Sequence, residues 1–158
     1  MSEDNKQLVV DFYRRWDAAD PTWGDIVSDD FTVHFGGLPT TFNRREMDDL
    51  NAKFYAAFDV RRHEWYAMFT EGDFVCSRGA FIATCSGAYG GDEVAGVEIF
   101  IDALTQHRIR DGLVVEEYLC IVPRPNAQLP ANGEPMASLM EAILTAKAAA
   151  VDDVPARG

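Results

Sequence analysis

The stretch from Gly96 to Val122, GVEIFIDALTQHRIRDGLVVEEYLCIV, constrains the fold of this chain more than any other. Two runs rich in β-branched and apolar residues flank Asp111-Gly112, a dipeptide suited to positive backbone φ, and the pattern predicts two long strands joined by a tight hairpin. With a three-residue loop, Arg110-Asp111-Gly112, Ile109 pairs with Leu113, His107 with Val115 and Thr105 with Glu117. Side chains alternate along a strand, so Ala103, Thr105, His107, Glu117, Leu119 and Ile121 share one face. Two ionisable groups, His107 and Glu117, thus fall among apolar ones. That arrangement fits a solvated face, a structural ion pair or an enclosed acid–base pair.

The N-terminal third has a different texture. Leu8, Val9, Phe12, Tyr13 and Trp16 recur at helical spacing and predict an amphipathic helix that ends before Pro21. Thr22 to Asp25 reads as a short helix capped by Thr22 with Asp25 answering three residues on, Phe31 to Phe35 as a short strand, and Asn43 with Glu46 as another helix start. That helix has Met47, Leu50, Phe54 and Phe58 as its buried stripe. Beyond Val60 the period shortens to two. Arg62 to Thr70 and Phe74 to Ser86 then form a second hairpin, in which Gly79, Phe81, Ala83 and Cys85 share a face with space above it. His63, beside Arg61, Arg62 and Glu64 at a strand start, reads as surface.

Charge and composition narrow the function. A 158-residue chain with 47% hydrophobic and 25% charged residues is a folded domain rather than a disordered one. The net charge of −12 argues against nucleic acid and anionic membranes as partners but leaves small neutral ligands open. The charged residues between Glu3 and Asp20 interrupt any secretory apolar run, and no later run is apolar enough to span a bilayer, so a cytoplasmic location is expected. Cys76, Cys85 and Cys120 form no CxxC, and His34, His63 and His107 show no HxH or HxxxH spacing; neither a disulfide framework nor a metal site is expected. Pro123, Pro125, Pro130 and Pro135 divide the chain at about residue 125. Residues 1–125 read as the domain and 126–158 as a proline-rich connector with a C-terminal helix, striped by Met136, Leu139, Met140, Ile143 and Leu144.

The segments LVVDFYRRWDAADPTWGDIVSDDFTVHF, LPTTFNRREMDDLNAKFYAAFDVRRHE, EGDFVCSRGAFIATCSG and HRIRDGLVVEE resemble the SnoaL-like polyketide cyclases of the nuclear-transport-factor-2-like superfamily. The resemblance runs from about Lys6 to Val122. It implies a cone-shaped α+β barrel, with three N-terminal helices packed in a curved antiparallel sheet, and it commonly goes with homodimers that pair through the sheet; the C-terminal helix read from its own stripe lies outside the resemblance. Tyr13 matches the tyrosine that donates to the oxyanion in ketosteroid isomerases, whereas the isomerase acid and base fall at Thr105 and Phe35. Cyclases of this type carry Trp and a catalytic Asp where this chain has Tyr118 and Leu119, and Cys85 replaces a histidine common among relatives. His34 stands where relatives often carry a histidine.

These readings give two alternatives. The first is a cofactor-independent lyase, cyclase or isomerase for a small, mostly apolar, aromatic or polycyclic substrate. His107, Glu117, Tyr13 and His34 are its candidate catalytic groups, with Thr105, Phe81, Cys85, Leu119, Ile121 and Trp16 around the substrate. An imidazole that titrates near neutrality and a carboxylate whose pKa is raised by apolar walls would take and return a proton. The second is a binding or dimerisation module without chemistry, favoured by Leu119 in place of the aspartate. On the sheet's other face, Leu104, Val114, Ile82 and Tyr118 form an apolar patch suited to a second copy.

Overall fold

The computed structural model describes residues 2–36, 41–88 and 95–123, with the side chains of residues 2 and 121–123 outside the description. The expected C-terminal extension also lies outside the described residues. Helix α1 (Ser2–Asp17) is followed by a 3-10 helix (Pro21–Ile26), strands β1 (Val27–Phe35) and β2 (Thr41–Asn43), helix α2 (Arg44–Ala57), and strands β3 (Phe58–Glu71), β4 (Phe74–Cys85), β5 (Glu98–Arg110) and β6 (Leu113–Pro123). One six-stranded sheet has the order β2-β1-β6-β5-β4-β3 and curls around the helices. Every pairing is antiparallel except β1 with β6, which run parallel. The class is α+β, with helices on the concave side of a curled sheet.

Local chemistry explains these elements. The α1 stripe buries Val9, Phe12 and Tyr13, and the expected helix start at Asn43 is a reciprocal capping box, with Asn43 accepting from the Glu46 amide and Glu46 from the Asn43 amide. Phe58, expected on the α2 stripe, instead caps the helix as the first residue of β3. The short helix is capped by Asp20 rather than Thr22, because Asp20 Oδ1 accepts both the backbone N–H and the hydroxyl of Thr22.

The central hairpin differs from expectation in register. Asp111 and Gly112, at φ 53° and 77°, form a two-residue loop, so Arg110 pairs with Leu113 and Ile109 with Val114. An irregularity between Arg108 and Ile109 then adds one residue on β6, and His107 pairs with Glu117, Thr105 with Leu119 and Ala103 with Ile121. The pairing is displaced by two residues from the three-residue-loop register, an even step that keeps the same side chains inward. The bulge also turns Val114 into the core, opposite Ile109. Of the expected outer patch, Ile82 is buried too, while Leu104 and Tyr118 stay 51% and 47% exposed and Phe69 joins them at 62%. The space expected above Gly79 is filled by its cross-strand partner: a Cβ there would lie 2.7 Å from Cε3 of the Trp65 ring.

Candidate functional site

An apolar cavity lies between the helices and the concave face of the sheet. Phe12, Tyr13 and Trp16 of α1, Met47, Asn51 and Phe54 of α2, and His63, Phe81, Glu117 and Leu119 of the sheet stand in its wall. About 60 Å³ is open to the centre of a water molecule, within an atom-free envelope of about 640 Å³ that includes the mouth. That is room for a few waters as the side chains stand, and a polycyclic guest would need Leu119, Met47 or Trp16 to turn aside.

Glu117 is the carboxylate in this wall. It is 4% exposed, and Tyr13 Oη donates to its Oε1 over 2.5 Å. His107, 0% exposed, stands behind it with Nε2 3.4 Å from the same oxygen, outside hydrogen-bond geometry. The His107 ring sits edge-on to Phe12 and Tyr13 at 5.4 and 5.3 Å. Burial pushes the Glu117 carboxyl up, but His107 beside it and the Tyr13 donor outweigh that and bring it below the usual carboxylate range. The expected rise is thus reversed. Burial, the Glu117 charge and the donated bond hold the Tyr13 phenol well above an ordinary tyrosine, so Tyr13 is a neutral donor. Its one O–H is committed to Glu117, which leaves oxyanion duty to another group.

Thr105 lies within hydrogen-bonding reach of the Tyr13 oxygen, and its Oγ1 is 2.5 Å from Ser77 Oγ. Two buried polar pairs therefore stand in this part of the core, Ser77 with Thr105 and Tyr13 with Glu117. Thr105 does not line the cavity. Phe81, Leu119 and Trp16 do line it. Cys85 does not: it is packed in the core, where burial pushes its thiol pKa up and keeps the nucleophilic thiolate out of reach. Ile121 pairs with Ala103 across the hairpin, and its side chain is outside the description. His34 is placed on the opposite face. Its neighbour Phe35 takes the inward position, so the His34 ring stacks on Tyr118 at 4.0 Å and pairs with Glu116 at 3.0 Å, away from the cavity.

Two polar residues in the wall escaped the sequence reading. Asn51 sits on the buried stripe of α2 beside Leu50 and Phe54, and Trp16 Nε1 donates to its Oδ1 over 2.7 Å. Because an indole only donates, this bond fixes the amide orientation and leaves the Asn51 NH₂ as a donor for a ligand. His63, expected at the surface, is in the wall, with Nδ1 2.8 Å from Asp17 Oδ1 and its backbone N–H bonded to Asp17 Oδ2. The signals were present: a polar residue at a helical core position, and a histidine in phase with Trp65 on β3. Among the described residues no three His, Cys, Asp or Glu side chains converge as metal ligands, and no helix is long and apolar enough to cross a membrane.

A curled sheet closed over helices, with a buried carboxylate in an aromatic pocket, defines an α+β pocket protein. The profile of the SnoaL-like polyketide cyclases matches residues 5–121, and the chain belongs to that family. Solved structures similar to it include AclR, a candidate hydroxylase from Streptomyces galilaeus, at 23% identity and TM-score 0.68 over 78% of this chain and 81% of that one. IdmH, a candidate polyketide cyclase from Streptomyces antibioticus, aligns at 19% identity and TM-score 0.68 over 86% and 98%. An LEH-like epoxide hydrolase from M. tuberculosis aligns at 10% identity and TM-score 0.63 over 95% and 96%. At these identities the likeness is one of fold. No curated protein matches the chain.

Proposed function

We propose that this chain is a cofactor-independent acid–base enzyme, a lyase, cyclase or isomerase, acting on a small, mostly apolar, aromatic or polycyclic substrate. Family membership supports an enzyme. The observation that carries the reading is Glu117, ionised and hydrogen-bonded by Tyr13 in an aromatic cavity wall. A carboxylate in that state needs no prior deprotonation and can take a proton from carbon. Its lowered pKa makes it a mild base, so the substrate must bring an activated C–H, next to a carbonyl and a ring or second carbonyl. The Asn51 amide, held by Trp16, is the donor for the oxygen that gathers charge.

2-Tetralone is a suitable probe, since its benzylic C–H lies next to a ketone. Deuterium uptake from D₂O, followed by proton NMR, is expected to accelerate with the protein and to fall about 100-fold or more in Glu117→Gln. Full uptake in that variant sinks the assignment. The narrowness of the cavity favours a second reading, a non-catalytic small-ligand-binding or dimerisation module. Saturable binding of 2-tetralone without deuterium uptake identifies it.

We infer further that the outer face of the sheet pairs two copies. Leu104, Tyr118 and Phe69 lie on that face, and Phe69, Cys76, Gln106 and Tyr118 stand in one cross-strand row. An isologous interface lets one such patch serve both subunits.

A further inference from the structure

We propose that His63, oriented by Asp17, is the general acid that works opposite Glu117, and that the site therefore selects substrates whose oxygen reaches His63 and Asn51 together. The inference rests on the reading of Glu117 as the base and adds its partner. Asp17 ends α1 and grips His63 twice, through Nδ1 at 2.8 Å and the backbone amide at 2.9 Å. The carboxylate fixes the ring as the Nδ1–H tautomer and leaves Nε2 as the nitrogen that exchanges a proton. The ring is also boxed in: Tyr13 at 4.4 Å, Phe81 at 5.1 Å, Trp65 stacked at 5.6 Å and Trp16 at 5.7 Å. Four aromatic contacts and a carboxylate are more than a surface histidine needs.

Position gives the pair its use. His63 and Glu117 stand in the same wall with Tyr13 against both, bonded to one and packed on the other. His63 and Tyr13 also border an outer groove with Asp17, Arg14, Arg61 and Arg62. The ring thus meets the cavity on one side and solvent on the other, where it recovers its proton between turnovers. Asn51 supplies the neighbouring donor for the same substrate oxygen.

The step balances. Glu117 takes a proton from the carbon next to a carbonyl, and the C–H electron pair forms the C=C bond. The carbonyl π pair moves to oxygen, which takes the Nε2 proton of the His63 imidazolium. The products are a neutral enol, a protonated Glu117 and a neutral imidazole still held at Nδ1–H by Asp17. Donation to the oxygen compensates for the mildness of the base, because the enolate charge never develops in full.

The test uses the full chain with 2-tetralone in D₂O. His63→Gln is expected to lose at least tenfold in deuterium uptake. Asp17→Ala, which removes the positioning carboxylate, is expected to slow uptake while leaving 2-tetralone affinity unchanged. If Glu117→Gln loses uptake but His63→Gln keeps it, this proposal is overturned and the reading of Glu117 stands. If Glu117→Gln keeps uptake, that reading falls first. Nitrogen-15 NMR of the wild-type imidazoles gives a second measurement free of any folding defect. In the neutral ring the Nδ1–H tautomer is expected, together with a shift of the His63 Nε2 signal on adding 2-tetralone; an Nε2–H tautomer of the neutral ring, or an unmoved signal, overturns the proposal.

Discussion

The Tyr13 hydroxyl donates to Glu117 across 2.5 Å and across 104 residues of chain, and both residues are buried. The bond stabilises the carboxylate and uses up the only proton that the phenol has. Tyr13→Phe leaves a buried carboxylate short of a donor, which costs about 1–3 kcal/mol of stability. It also moves the Glu117 pKa upward, since one of the groups that lower it is gone. Urea denaturation and a pH titration of 2-tetralone uptake check both effects. An unchanged acid limb in the variant contradicts the pairing.

Stability should respond to pH at both ends for opposite reasons. The folded state lowers the Glu117 pKa, so its contribution is present above the ordinary carboxylate range and is lost as pH falls through the folded value. The folded state raises the Tyr13 pKa, so that contribution is present below about 10 and is lost as pH rises beyond it. Denaturation midpoints against pH are expected to flatten in acid for Glu117→Gln and in alkali for Tyr13→Phe. Identical slopes in wild type and variants would count against these assignments.

Gly79 is a packing requirement rather than a gap. A Cβ there would meet Glu64 O at 2.3 Å and Trp65 Cε3 at 2.7 Å, one of them backbone. Gly79→Ala is expected to cost about 1–3 kcal/mol, the range for overpacking. It should also disturb uptake of 2-tetralone, because Trp65 is stacked on His63. Thermal denaturation that leaves Tm unmoved would contradict the close fit.

Leu104 tests the pairing of copies. At 51% exposed it contributes little to its own subunit's core. Leu104→Arg is therefore expected to leave the fold intact while converting a dimer to a monomer in sedimentation velocity at micromolar concentration. A wild-type chain that sediments as a monomer there rules the dimer out.

How far the sequence could be read depended on how local the determinant was. The hairpin at Asp111-Gly112 and the helix start at Asn43 with Glu46 rest on residues close in sequence, and both are observed. The register of the hairpin was misjudged by two residues, and the concave face kept its members because the slip was even. What was not legible came from distant partners. Nothing near Glu117 announces that Tyr13 will meet it, so desolvation alone pointed its pKa the wrong way. Nothing near His63 announces Asp17, and a flank of Arg61, Arg62 and Glu64 suggested solvent. The parallel pairing of β1 with β6 likewise has no signature in either strand.

That parallel pairing also sets a timetable. β1 cannot take its place until β6 exists, because β6 is the strand that joins it to the rest of the sheet, and β6 is the last described element to leave a ribosome. Contacts of such sequence separation form slowly, since a long loop must close before they repay it. Tyr13 is thus synthesised 104 residues before the Glu117 it bonds, so a chain made only as far as β5 holds most of the pocket wall without its carboxylate. The pocket is complete only once β6 has been made, and a truncation before β6 removes Glu117 together with the strand that closes the fold.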